Sequence, residues 1–81
     1  MRILLVEDAP DVSAAMKDLL STRDHSAEVV ITVDDAIAVL RTDGFDLIVL
    51  DLNLPGRSGR ELLAYCKSNH VQTPIFVVSA R

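Results

Sequence analysis

Acidic and hydroxyl side chains stand directly after apolar segments, with types and spacing that suit metal binding and phosphoryl chemistry. Glu7 and Asp8 follow the first apolar run of the chain, and Asp51 follows the third. The last run leads into Ser79, with the small residue Ala80 beside it. Carboxylate oxygens are ligands that Mg²⁺ prefers, and a carboxylate can also act as a nucleophile.

The three acids would converge on one shallow pocket if the first and third apolar runs formed neighbouring strands. Like charges held this close raise a pKa or are relieved by a bound cation. An oxygen-only site without His or Cys suits Mg²⁺, which would screen an incoming phosphoryl group from the acids. Asp51 could then act as nucleophile and form an acyl phosphate, to which Ser79 could donate a hydrogen bond.

Each of these residues also has a simpler interpretation when it is taken singly. Asp8 could cap the helix that follows it, Glu7 could be a solvated residue at a strand end, and Ser79 could form a turn. Asp51 is harder to explain in this way, because it interrupts an apolar stretch that resumes at Leu52. The joint pattern therefore favours a functional site.

Short apolar segments of strand length alternate with amphipathic segments along the whole chain. Strands are predicted over residues 3–6, 29–31, 47–50 and 74–78, with one helix in each interval. Strands that are apolar on both faces and separated by helices predict an α/β fold, with an open, doubly wound parallel sheet covered by helices on both sides. The connections should be right-handed crossovers.

The helix boundaries are predicted from capping residues and turn formers. The first helix begins at Pro10 and turns Val12, Met16, Leu19 and Leu20 towards the sheet. The other two helices open on capping boxes, formed by Thr32 with Asp35 and by Ser58 with Glu61. Gly44 is expected to end the second helix in a left-handed conformation, and the third turns Leu62, Leu63 and Cys66 inward.

Composition excludes several other classes of protein. The chain is 49% hydrophobic and 25% charged, which is not the composition of a disordered tail. A net charge of −4 without a basic patch argues against nucleic-acid binding, and the lone Cys66 excludes an internal disulfide and a thiolate zinc cluster. The apolar runs are too short to span a membrane, so we expect a soluble, cytoplasmic chain.

These segments resemble the receiver (CheY-like) domain of two-component response regulators. That family has an acidic pair after its first strand, a phospho-accepting Asp after its third, and Ser or Thr followed by Ala after its fourth. The matching segments here are RILLVEDAPD, DLIVLDLNLPGRSG and TPIFVVSAR. The resemblance implies a flavodoxin-like sheet in the order 2-1-3-4, in which Asp8 and Asp51 bind Mg²⁺ directly, Glu7 acts through water and Asn53 offers its backbone carbonyl.

The resemblance also implies a role in signalling. Asp51 would take a phosphoryl group from a histidine kinase or phosphotransfer protein, Ser79 would bind that group, and Ala80 would leave room for it. Such a domain is not an enzyme beyond self-catalysed phosphotransfer and autodephosphorylation. The alternative is a truncated receiver that works as a phosphorylation-independent interaction or dimerisation module.

The family's domain has five βα units, whereas this sequence matches through the fourth strand. Residues 1–81 are thus interpreted as one receiver domain that lacks the fourth helix, the fifth strand and the fifth helix, with the family's phosphate-contacting Lys. The fourth strand would then be an exposed apolar edge, and the first helix would lose a neighbour. A homodimer or an element-swapped oligomer through these two elements is the expected consequence.

Other functions fit the residues less well. A haloacid-dehalogenase-like phosphohydrolase needs a second Asp two positions after its nucleophile, where this chain has Asn53. A nucleotide-binding domain is disfavoured because the chain has neither a G-x-G-x-x-G segment nor a Walker A loop. Arg57 and Arg60 are expected to belong to a solvated face, with partner docking as the less favoured interpretation.

Overall fold

Strands and helices alternate through the computed structural model, which describes residues 1–78. Their order is β1 (Arg2–Val6), α1 (Pro10–Ser21), β2 (Ser26–Val30), α2 (Val33–Leu40), β3 (Leu47–Asp51), α3 (Gly59–Ser68) and β4 (Ile75–Val78). The predicted alternation is therefore confirmed. The predicted site residues Ser79 and Ala80 lie outside the described residues.

The four strands form one parallel sheet in the order β2-β1-β3-β4, as predicted. In the ladders, Val6 of β1 is paired with Leu50 of β3, and Asp51 is paired with Val78 of β4. The carboxyl ends of β1 and β3 are consequently level and adjacent at the centre of the sheet. Residues that follow these two strands must lie close together.

Residues 3–6 of β1 and 47–50 of β3 are all apolar because both faces of the sheet are covered there. Leu4, Ile48 and Leu50 belong to the larger core cluster, which also contains Leu62 of α3. Ile3, Leu5 and Val49 point to the opposite face, where side chains of α1 pack against them. Side chains alternate between the faces along a strand, so a strand buried on both faces needs an unbroken apolar run.

Local capping explains where α2 and α3 begin. The Thr32 hydroxyl oxygen accepts a hydrogen bond from the Asp35 N–H at 3.1 Å. At α3, the Ser58 side chain accepts from the first-turn backbone while a Glu61 carboxylate oxygen accepts from the Ser58 N–H at 3.1 Å, so this capping box is complete as predicted. These bonds satisfy backbone donors that the first turn of a helix leaves without partners.

The predicted end of α2 was wrong. The helix ends at Leu40, and the capping residue Arg41 has right-handed backbone angles, whereas Gly44 does not have a positive φ. The Arg41 N–H donates to the Ile37 carbonyl, and the Asp43 N–H donates to the Val39 carbonyl. Because right-handed turns already satisfy the last carbonyl groups, no left-handed glycine is needed.

The boundaries of β2 also differ from the prediction. The strand covers Ser26–Val30 instead of residues 29–31, and Ile31 is exposed beyond its end. Its register pairs Arg2 with Ser26 and Val6 with Val30, so β2 follows the whole length of β1. An edge strand that faces solvent tolerates polar residues, which explains why an apolar run does not mark its start.

The sheet-facing stripe predicted for α1 is half right. Met16 and Leu20 pack on the sheet, but Val12 is 43% exposed and Leu19 is 60% exposed. On β4, Phe76 is 63% exposed and Val78 is also exposed. No element of residues 1–78 covers these four side chains, which we name the α1–β4 surface. The predicted exposure of the fourth strand is thus observed in this part of the chain.

Close contact between α3 and β3 requires the glycine at the start of α3. A Cβ atom added to Gly59 would lie 2.8 Å from the Asp51 carbonyl oxygen and 2.9 Å from the Leu52 Cα atom. Both are backbone atoms, which cannot turn aside as a flexible side chain can. Gly59 therefore lets the helix approach the end of the strand that carries Asp51.

We expect Gly59→Ala to lower the free energy of unfolding by about 1–3 kcal/mol, because overpacking at this contact must displace backbone. Gly44→Ala is the matched control, since nothing lies within 4 Å of a Cβ at that position. Urea denaturation of the two variants beside the parent chain measures the difference. Equal stability of the two variants would show that the contact tolerates a methyl group.

Candidate metal centre

Three acidic side chains meet where β1 and β3 end. Glu7 and Asp8 follow β1, and Asp51 is the last residue of β3. Each offers a carboxylate oxygen, and these oxygens all lie within 4.8 Å of one another. The Glu7 N–H donates to the Val30 carbonyl at 3.0 Å, which continues the pairing of β1 with β2 and fixes the backbone at this point.

These acids line a cavity of about 400 Å³ at the carboxyl edge of the sheet. Asn53, whose backbone carbonyl the family resemblance assigns to the metal, also lines it. The remaining walls come from Ala9, Val12 and Val78. The cavity is therefore acidic on the side of β1 and β3 and apolar where it meets the α1–β4 surface.

Asp8 does not cap α1. The N-cap residue of this helix is Ala9, and no side chain makes a capping hydrogen bond there. Pro10 occupies the first helical turn, where its missing N–H costs nothing. The capping interpretation of Asp8 was therefore wrong, and its exposed carboxylate faces the cavity with the other acids.

Glu7 is half-buried, and the pKa of its carboxyl group is raised. Burial is the main cause that raises the pKa of its carboxyl group, and the charges of Asp51 and Asp8 raise it further. A hydrogen bond from the Ala9 N–H to Glu7 Oε2, 3.1 Å long, acts in the opposite direction. The net effect is that ionised Glu7 is disfavoured here unless a positive charge joins the cluster.

Asp51 is held from two sides. The Asn53 N–H donates to Asp51 Oδ1 at 2.9 Å, which orients the carboxylate within the loop that follows β3. At Gly59, α3 comes so close to the Asp51 carbonyl oxygen that a Cβ atom there would lie 2.8 Å from it. Three clustered carboxylates, with only oxygen donors and a raised Glu7 pKa, fit a hard divalent cation such as Mg²⁺.

Gly59 and Arg57 make contacts that were not predicted from the sequence. No sequence pattern indicated that Gly59 sets the approach of α3 to Asp51. Arg57 was assigned to a solvated face, but its guanidinium pairs with Asp34 of α2 and with Glu61 of α3. The four-residue spacing to Glu61 was visible in the sequence, whereas nothing in the sequence indicated the pair with Asp34.

A four-stranded parallel α/β fold with clustered acids at the carboxyl ends of its two central strands defines a receiver-type signalling domain. The family model of the response regulator receiver domain matches residues 3–81, and the chain belongs to this family. Receiver domains are signalling domains of two-component systems that bind Mg²⁺ at an acidic pocket and partner with histidine kinases. None of the helices in residues 1–78 has the length and apolar character of a membrane span.

Known proteins resemble the whole chain. The transcriptional regulatory protein DltR of Streptococcus agalactiae is 33% identical over 81 residues, which are 100% of this chain and 36% of DltR. The non-phosphorylated HemR receiver domain of Leptospira biflexa is 32% identical, with a TM-score of 0.90 over 99% of this chain and 64% of that one. The chain thus spans about a third of DltR and about two thirds of the HemR receiver domain.

A third relative was solved with two kinds of partner. TrrA of Thermotoga maritima in complex with Mg²⁺ and BeF is 25% identical, with a TM-score of 0.92 over 99% of this chain and 70% of that one. TrrA was also solved in complex with the histidine kinase ThkA, where the identity is 25% and the TM-score is 0.89 over 98% of this chain and 68% of that one. Mg²⁺, BeF and the kinase ThkA are ligands and a partner of TrrA.

The raised Glu7 pKa predicts how the metal-free protein responds to pH. The folded protein holds a proton on Glu7 more tightly than the unfolded chain, so this group favours folding below its ordinary pKa of 4.5 and loses that contribution as pH rises. At pH 7 without metal, we expect Glu7→Gln to raise the melting temperature by several degrees. The gain should shrink as the pH approaches 4.

Asp11→Asn is the matched control for this measurement. It removes the same charge from the first turn of α1, where an acid favours the helix, so its melting temperature should not rise. Thermal denaturation in EDTA at several pH values compares the variants. A lower melting temperature for Glu7→Gln at pH 7 would contradict the electrostatic account of the cluster.

Proposed function

We propose that this chain accepts a phosphoryl group on Asp51 from the phosphohistidine of a sensor histidine kinase or a phosphotransfer protein. The observation that carries the proposal is the cluster of Glu7, Asp8 and Asp51 oxygens within 4.8 Å in an open cavity. Membership of the receiver family supports it, since these residues occupy the segments that match the family.

The proposed metal site uses residues at the ends of both central strands. Asp8 and Asp51 bind Mg²⁺ directly, Glu7 acts through water, and Asn53 contributes its backbone carbonyl oxygen. When bound, Mg²⁺ neutralises the carboxylates and the charge on the phosphoryl oxygens. Val12 and Val78 form apolar walls on the other side of the cavity.

Asp51 is the only nucleophile in the proposed phosphoryl transfer. A carboxylate oxygen of Asp51 forms a bond to phosphorus as the phosphorus–nitrogen bond of the phosphohistidine breaks, and the imidazole leaves with the electron pair. The Asn53 N–H bonded to Oδ1 fixes the orientation of the carboxylate during attack. Ser79 donates a hydrogen bond to the transferred group and Ala80 leaves room for it, which completes the proposed set of residues.

Residues 1–81 are proposed to form a single receiver unit. One sheet serves both core clusters of the described residues, so nothing divides residues 1–78 into two units. The unit corresponds to 64% of the HemR receiver domain, which is a longer chain of the same fold.

Incubation with acetyl phosphate and Mg²⁺ tests the phospho-acceptor role. We expect the intact mass to increase by one phosphoryl group and the increase to disappear in EDTA or in Asp51→Asn. Asp18→Asn, which removes an exposed carboxylate of α1 outside the cavity, should be labelled like the parent chain. Labelling that persists in Asp51→Asn would assign the acceptor to another residue.

The α1–β4 surface favours a second candidate function, a dimerisation module that works without phosphorylation. β4 is an edge strand of the described sheet, and residues 75–78 are apolar without a charge or proline that would block pairing. A second copy of this chain can pair its β4 antiparallel with this one about a twofold axis, which would join the two exposed Phe76 side chains.

Size-exclusion chromatography with light scattering tests this dimer. We expect the parent chain to elute as a dimer and Phe76→Lys to elute as a monomer, because an edge lysine disfavours strand pairing. Lys17→Ala, on the exposed side of α1, should remain dimeric. A folded monomer of the parent chain at high concentration would exclude the pairing, and a dimer unaffected by Phe76→Lys would locate it elsewhere.

A further inference from the structure

The loop between β3 and α3, residues 52–58, has a compact base and one charged attachment to another helix. At its base, the Gly59 N–H donates to the Leu52 carbonyl at 3.3 Å, and the Asn53 N–H donates to Asp51 Oδ1. Further along, Arg57 Nη1 lies 2.5 Å from Asp34 Oδ1 of α2. The loop that carries Asn53 is therefore tied to a second element as well as to its own strand.

Asp34 and Glu61, the two partners of Arg57, lie in the capped first turns of α2 and α3. Asp34 is in the first turn of α2, which is capped by Thr32 and anchored in the core by Val33 and Ala36, both fully buried. Glu61 accepts the Ser58 N–H with one oxygen and Arg57 Nε, at 3.1 Å, with the other. Because the Ser58 N–H already orients the Glu61 carboxylate and the Asp34 backbone is fixed in α2, Arg57 can bridge α2 and α3 at a reduced entropic cost.

The ion pairs of Arg57 with Asp34 and Glu61 are solvent-exposed, so we expect them to affect the order of the loop more than the overall stability. The side chains of Arg57, Asp34 and Glu61 are 44%, 73% and 49% exposed, and exposed ion pairs add little to global stability. A loop opens locally at a much lower free energy than the whole domain unfolds, so a modest contact can decide its order. Loss of Arg57 should therefore disturb the loop more than the fold.

We propose that Arg57 is a positioning residue for the metal centre, which it serves by tying the loop that carries Asn53 to Asp34 of α2. The inference rests on the proposed function, since it assigns Asn53 and Asp51 to one Mg²⁺ site. Arg57 itself does not line the cavity. It acts through the loop backbone, because the Asn53 carbonyl and the bond from the Asn53 N–H to Asp51 both depend on the path of residues 52–58.

The sign of the effect on Mg²⁺ binding distinguishes positioning from simple electrostatics. Removing a positive charge near an acidic cluster strengthens the attraction of a cation by Coulomb's law. Removing a tether weakens binding, because the binding-competent loop is then populated for a smaller fraction of the time. Arg60 provides the charge-matched control, since it is exposed three residues further on and has no ion-pair partner among the described residues.

The experiment measures metal-free loop order and Mg²⁺ affinity in the same variants. We expect Arg57→Gln to speed amide hydrogen exchange in residues 52–58 without metal, and Arg60→Gln to leave it unchanged. By isothermal titration, Mg²⁺ should bind Arg57→Gln about threefold or more weakly than Arg60→Gln, as expected if the ordered loop falls to about a third of its population. Melting temperatures of the two variants should agree.

A double-mutant cycle of Asp34→Asn and Arg57→Gln tests whether the two residues act together. Asp34→Asn should weaken Mg²⁺ binding, and adding Arg57→Gln should bring no further loss, whereas the neighbouring Asp35→Asn should have a smaller effect. Arg57→Lys, which keeps the charge but cannot bridge both carboxylates as well, should be intermediate.

Equal Mg²⁺ affinities of Arg57→Gln and Arg60→Gln would overturn the positioning role while leaving the proposed function intact. A fall in affinity that follows a fall in melting temperature would overturn it as well, because Arg57 would then only stabilise the fold. Failure of the parent chain to bind Mg²⁺ or to be phosphorylated would instead contradict the proposed function, and unchanged loop exchange in Arg57→Gln would still reject the tether.

Discussion

Parallel pairing of β1 with β3 is the constraint on which the rest of this molecule depends. The register brings Val6 opposite Leu50, so the acids after β1 and the acid that ends β3 are forced into one place. Burial first, and then the neighbouring charges of Asp51 and Asp8, raise the pKa of Glu7, so its ionised form is disfavoured in this arrangement. A fold that concentrates negative charge at its sheet edge gains stability from any ligand that brings positive charge there.

The apolar core supplies the free energy that holds these charges together. Every side chain from Ile3 to Val6 is buried, and Ile48 and Leu50 are fully buried beside them. Full burial of such a side chain contributes about 1.5–3 kcal/mol. The buried parts of β1 and β3 thus form a packed base for the site, whereas the side chains of the α1–β4 surface are exposed.

Sequence reasoning predicted the features that depend on local pattern or on strand order. The parallel sheet and the α3 capping box follow from apolar runs and the residues that end them. The strand order, and with it the meeting of Glu7, Asp8 and Asp51, was expected from the resemblance to receiver domains. Sequence reasoning failed where contacts between distant elements decide the outcome. Leu19 shares a helical stripe with Leu20, but only Leu20 reaches the sheet. Likewise, the bond between Arg57 and Asp34 spans 23 residues and leaves no periodic signal.

The most direct test of the account is an NMR titration of the parent chain with Mg²⁺ at pH 7. The molecule has an internal control, because Arg2 pairs with Glu28 and Asp43 at the opposite end of the sheet. The account predicts saturable shifts of amide signals at the carboxyl ends of β1 and β3 and in residues 52–58, with those around Arg2 unchanged. Equal shifts at both ends, or none at the ends of β1 and β3, would contradict it.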